Sequence, residues 1–171
     1  MNEALSGNAN GDSHPYKSKT VTAWLALLLG SFGLHRFYLH GFGDKLGWLH
    51  PWPTLIGLYG VQRMDQLGQD DRLAWVLIPV LGLMLVNATI SGIVYGLTSD
   101  ADWNAKHNPG QTIRPSGWAV IIAVIACVMI GGISLMSTIA FSAQRYFESQ
   151  VEAPQDKPAE AKARPAAASG K

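Results

Sequence analysis

Gly33-Leu34-His35-Arg36-Phe37-Tyr38-Leu39 is the stretch that decides how this chain is read. An uncharged apolar run meets a histidine and an arginine there, then continues through aromatics. A charged arginine costs about 2.5–3.5 kcal/mol at the centre of a bilayer on insertion scales, so the cluster belongs at an interface or needs a partner. The rest of the chain justifies speaking of a bilayer. Of its 171 residues, 48% are hydrophobic and only 15% charged, against about 25% charged in ordinary soluble domains. The charged residues gather in patches, with long neutral runs between them. A net charge of +1 gives no basic surface for nucleic acid, which needs clustered Lys and Arg. The single cysteine, Cys127, lies inside an apolar run and reads as a packed thiol.

Working outward from the cluster, Lys17 and Lys19 precede an apolar run that starts at Val21, with Trp24 near its entry as an interfacial ring. Two lysines before an apolar core also describe a signal peptide, but no small-x-small cleavage site follows. The uncharged run Val21–Leu34 is 14 residues, short of the roughly 20 that span hydrocarbon. A first membrane helix therefore has to borrow Phe37, Tyr38 and Leu39 or let Arg36 snorkel. Ala23, Ala26, Gly30 and Gly33 recur at three- and four-residue spacing, which offers a face for close helix contact.

The ordered string Lys17-Ser18-Lys19, an apolar helix, His35-Arg36-Phe37-Tyr38 and a glycine-bearing turn resembles the TM2 domain family, including its bacterial NINE-type members. The resemblance covers roughly residues 17–65. It implies an integral membrane protein of mostly unassigned activity, with a pair of membrane helices joined by a short connection carrying an Asp/His-Arg-Phe signature beside Tyr. This chain has His35 where animal relatives tend to have Asp, so a signalling role tied to the acid does not carry over. The expected helices run over about 20–40 and 46–62, with Leu46–Val61 either spanning or re-entrant, and a tail over 1–16.

Leu39–Gly47 reads as a glycine-rich turn and lacks the Gly-Lys-Ser/Thr ending of a phosphate loop. Residues 66–72 form a polar connector. Its Asp70 and Asp71, with Asp65, do not follow a calcium-loop pattern and have arginines beside them. The uncharged runs 73–99 and 117–143 are each long enough to span and give a third and a fourth transmembrane helix. Ala88, Gly92 and Gly96 form small-xxx-small steps, and Asn87 and Ser91 read as interhelical hydrogen-bonding groups rather than a transport path. A polar loop over 100–116 separates these helices, and a largely disordered tail is expected over 144–171.

The fold class expected is all-α, a polytopic integral membrane protein with four transmembrane helices that begin with a TM2 hairpin. Four crossings place both termini on one side, and the excess of Lys and Arg there makes that side the cytoplasm; the resemblance to bacterial NINE-type members implies that the membrane is a bacterial inner membrane. His35-Arg36-Phe37-Tyr38 is the family motif and an interface, while Ala26, Gly30, Gly33, Ala88, Gly92 and Gly96 are expected in helix packing. No catalytic constellation, cofactor site or metal site is expected, and no small-molecule ligand or nucleic acid. The partners are the lipid bilayer and other membrane proteins or further copies of the chain. A non-enzymatic protein acting through helix contacts leads two alternatives: a small transporter or channel subunit, and a membrane sensor or metal binder using His35, His40 and His50.

Overall fold

The computed structural model describes residues 15–163, with side chains described through Val151; the expected tail over 1–16 lies mostly outside the described residues. All regular structure among them is helical. Helix α1 spans Lys19–Leu29, followed by a 3₁₀ turn over Gly30–Phe32; α2 spans Leu34–His40, α3 Lys45–Leu49 and α4 Pro51–Leu67. Helix α5 spans Arg72–Leu97, α6 Asp100–His107 and α7 Trp118–Ala163. Of these, α5 and α7 are long and apolar enough to cross a membrane, and residues 19–32 form a shorter apolar stretch.

Helix α5 is the axis of the bundle, and glycines set how closely the others approach it. Gly57 and Gly60 of α4 lie against Leu81 and Leu77. Gly30 of the 3₁₀ turn meets Ala88, and Gly92 of α5 meets Ala26 of α1 and Cys127 of α7. Gly96 meets Val124, and Gly131 of α7 meets Thr89. The partners' numbers fall as those of α5 rise, so α1, α4 and α7 all run antiparallel to α5. A Cβ added at Gly92 would lie 2.6 Å from the Cys127 sulfur, so that helix pair depends on a missing side chain.

Helix α1 covers only half of α5. At one end, buried Lys19 donates to the Thr98 carbonyl at 2.8 Å and pairs with Asp100 at 2.6 Å. At the other, the chain reverses at Gly33, whose φ of +79° is left-handed and whose N–H donates to the Gly30 carbonyl at 2.9 Å. Any side chain there would collide with the Gly47 carbonyl, 2.7 Å from an added Cβ. Helix α2 then returns toward the start of α1: the Tyr38 hydroxyl accepts from the Ser18 N–H at 2.9 Å, and the Lys17 ammonium donates to the Leu39 carbonyl. The single helix expected over about 20–40 is thus corrected to a fold-back, because Gly33 takes a backbone conformation no helix interior allows.

The other boundaries shift for local reasons. The expected helix over 46–62 begins at Lys45, where Asp44 accepts from the Leu46 N–H at 3.1 Å, and α4 restarts at Pro51, which is tolerated in a first turn. It continues to Leu67, past the expected end. Asp71 caps α5 in the same way as Asp44 caps α3. The polar loop over 100–116 contains α6, because Ser99 accepts from the Asp102 N–H and donates to its carboxylate. Within the tail expected over 144–171, α7 continues as helix to Ala163, and residues 164–171 lie outside the described residues.

The two ends of the chain follow from this path. Arg145 of α7 lies 5.1 Å over the Trp75 ring at the start of α5, whereas Lys17 and Lys19 sit at its far end. The 26 residues of α5 separate those ends by about 39 Å. The first described residues and the distal part of α7 therefore lie at opposite ends of the bundle, not together as four traversals would require.

The Lys19–Asp100 pair gives the fold an acid limb. The Lys19 ammonium, with the hydroxyl and N–H of Ser116, holds the Asp100 carboxyl at about 2, below its ordinary 3.8. Its contribution is present above about pH 4 and is lost as pH falls through about 2. Thermal melts of the detergent-solubilised protein should show stability declining between about pH 4 and 2, and Asp100→Asn should flatten that part of the profile.

Candidate functional site

The four residues of the sequence motif each hold a different element. Helix α2 has only seven residues, and it points successive side chains in different directions. His35 turns inward and is 1% exposed. Its ring lies 5.8 Å from that of His50, between α3 and α4, and 5.7 Å from Tyr95 of α5. Arg36 points to the following turn, where its Nε donates to Asp44 at 2.7 Å. Phe37 stacks on Phe42 at 5.6 Å and meets Trp48 edge-on at 5.4 Å, with its ring over Gly47. Tyr38 ties back to Ser18.

Asp44 performs two jobs at once. One oxygen caps α3 and the other receives Arg36, and that hydrogen bond holds the carboxyl below the usual carboxylate range. The charge that made Arg36 costly in an apolar setting is thereby compensated eight residues downstream. Trp48 adds a further tie, donating its indole N–H to the Phe42 carbonyl at 2.8 Å.

The inner side of the hairpin is polar. His50 Nδ1 lies 2.7 Å from the Leu46 carbonyl and so carries the proton, which leaves Nε2 to accept from the Asn87 amide at 3.4 Å. Thr54 donates to the Ser31 carbonyl at 2.6 Å, satisfying a buried acceptor where the 3₁₀ turn interrupts the helical ladder. The Nδ1 atom of His35 is buried and has no hydrogen-bond partner. His40 faces away, exposed, 3.9 Å from Asp44. The three histidines weighed as a metal site do not converge, and among the described residues no group of three or more His, Cys, Asp or Glu is placed to hold a metal.

The residues singled out for packing divide. Ala26 and Gly30 meet Gly92 and Ala88, Gly96 faces α7, and Gly33 forms the reversal. Sequence reasoning missed Asp44 as the partner of Arg36 and Tyr95 as the neighbour of His35. The first had a signal, a lone acid in the turn just after a lone arginine. The second had none, because only the fold brings α5 beside α2.

Residues 15–61 match the family model of the TM2 domain. The matched region covers the fold-back, α3 and most of α4, and α5 to α7 lie outside it. No curated protein and no solved structure matches the chain.

If the motif is a clasp, its members should separate in a stability assay. Tyr38→Phe leaves the Ser18 N–H unpaired and should cost about 1 kcal/mol in detergent-based unfolding. His35→Leu removes a buried ring nitrogen that has no partner and should be neutral or stabilising. A larger loss for His35→Leu than for Tyr38→Phe would contradict that assignment.

Proposed function

We propose that this is a polytopic helical membrane protein that performs no chemistry and acts through contacts of its helices with lipid and with other membrane proteins. The observation that carries the reading is the exposure of α5 and α7. Only 17% of the most apolar window of each helix is buried, whereas core helices of a soluble bundle would bury such a surface. The charges cluster at the two ends of the bundle. Arg63 bonds Asp71 through two nitrogens at one end, and the Lys19–Asp100 pair closes the other. The TM2 match supports the same placement.

In this reading the chain makes three traversals, by α3 with α4, by α5 and by α7, while α1 and α2 dip in and return. The 23 residues 45–67 give about 34 Å of helix, enough to cross. Both ends of the fold-back then share a face with α6, and the distal part of α7 emerges opposite. This also removes the charge argument for placing both termini inside. Among the described residues, six Lys and Arg fall on the face of Lys17, Lys19, Arg36, Lys45, Lys106 and Arg114, and five, Arg63, Arg72, Arg145, Lys157 and Lys162, on the other. So even a division favours neither orientation. The bacterial inner membrane remains the proposed location, as the TM2 resemblance implies.

Alkaline carbonate should leave the protein in the membrane pellet, and extraction into the supernatant would overturn the membrane reading. Single cysteines in a Cys127→Ala background then resolve the threading. Pro15→Cys, Gly43→Cys and Ala105→Cys should react with an impermeant maleimide from one face and Gln150→Cys from the other. Reaction of Pro15→Cys and Gln150→Cys from the same face would contradict three traversals.

A further inference from the structure

The early return of α1 leaves part of the bundle uncovered. In the upper half, Ala23 of α1 packs against Val120 and Ala123 of α7, and the Trp24 indole donates to the Ala119 carbonyl at 3.2 Å. Below the reversal α4 takes over on α5 at Leu77 and Leu81, but no residue of α4 closes the space between α5 and α7. The gap is a cavity of about 380 Å³, lined by Pro79, Gly82 and Leu85 of α5 and Ser134, Thr138 and Phe141 of α7. Thr138 spends its hydroxyl on the Ser134 carbonyl at 2.7 Å, which makes the wall less polar than its composition suggests. At about 30 Å³ for a group the size of a water molecule, the volume suits roughly a dozen methylenes.

One turn of α7 beyond Phe141, at the lower end of the groove, stands a cation. Arg145 is 8% exposed, with its guanidinium 5.1 Å over Trp75 and 5.3 Å over Phe141, the same ring that lines the groove. Glu148 accepts from Nη1 at 2.6 Å, and Nε is buried with no acceptor among the described residues. A guanidinium is a planar donor set, and one with an N–H left without an acceptor suits a phosphate oxygen. We propose that the α5–α7 groove holds one phospholipid of the surrounding bilayer, its acyl chain beside Gly82 and Thr138 and its phosphodiester on Arg145. The proposal rests on the membrane placement above. The occupant is a phospholipid rather than a helix because a cation with an unbonded Nε–H lies one turn beyond the groove's lower end, and an apolar helix offers that N–H no acceptor.

Native mass spectrometry of the full chain, released from mild detergent after a delipidating wash, tests this. The wild type should retain one phosphatidylglycerol and should not take up diacylglycerol, which has the chains but no phosphate. Arg145→Gln should lower occupancy about tenfold or more, the range expected for a hydrogen bond to a charged group. Ser137→Trp, which fills the groove from an exposed position on its wall, should abolish retention, and Glu148→Gln should leave it unchanged or raise it. Circular dichroism confirms that each variant keeps its helices, and Arg145→Gln carries the test if Ser137→Trp does not fold. Absence of bound lipid in the wild type, equal retention in wild type and Arg145→Gln, or a dimer that Ser137→Trp dissociates would overturn the proposal. Each of these can occur while carbonate extraction still finds the protein in the membrane, so failure here is distinct from failure of the placement.

Discussion

A run of 14 uncharged residues ending near an arginine is too short to cross hydrocarbon, and the fold depends on how the chain meets that limit. Stretching the helix from Lys19 through Arg36 would leave an unpaired cation about 25 Å in, still short of the far side of a core roughly 30 Å thick. Turning at Gly33 instead sends Arg36 back to Asp44, 2.7 Å away, and returns Tyr38 to the start of α1. The reversal needs a residue that accepts φ of +79° and has no side chain to strike the Gly47 carbonyl. A glycine meets both conditions, and the four motif residues hold the turn closed.

The rest of the bundle accommodates this half-depth hairpin. Helix α1 lies on the upper part of α5, α4 lies on the lower part, and they meet where Thr54 donates to Ser31. That hydrogen bond matters because a broken helix leaves carbonyls that water cannot reach in an apolar setting. Against α7 there is no such second helix, so the lower α5–α7 groove stays open beside Gly82. One local choice at Gly33 thus sets the path of the chain, the separation of its ends and the position of the cavity.

Much of this was legible in the residues. The long neutral runs place α5 nearly to its ends and the start of α7, since length and polarity suffice for that, whereas the helix of α7 continues about 20 residues past the neutral run. The small residues Ala26 and Gly30, and Ala88 and Gly92, read as two packing faces with no partner named, and the fold sets the one against the other. What sequence reasoning could not supply was the reversal. Gly33 sits in a pattern that also fits a packed helix face, and only the pairing of Lys17 with Leu39 and of Ser18 with Tyr38 separates the two. Leu46–Val61, short for a span and containing His50, is where the sequence allows a re-entrant segment, whereas the chain turns back at Gly33 and Pro51 opens α4. The inward setting of His35 was equally hidden, because Tyr95 and His50 reach it from helices distant in sequence.

The fold-back itself is tested most directly by the distance between its two limbs. Spin labels at Thr20→Cys and His40→Cys, in a Cys127→Ala background and reconstituted in lipid, report it by double electron–electron resonance. A return of α2 beside α1 predicts a short distance, about 20 Å or less including the label arms. A continuous helix over those 20 residues would hold the labels about 30 Å apart, at 1.5 Å per residue, and that value would contradict the fold-back.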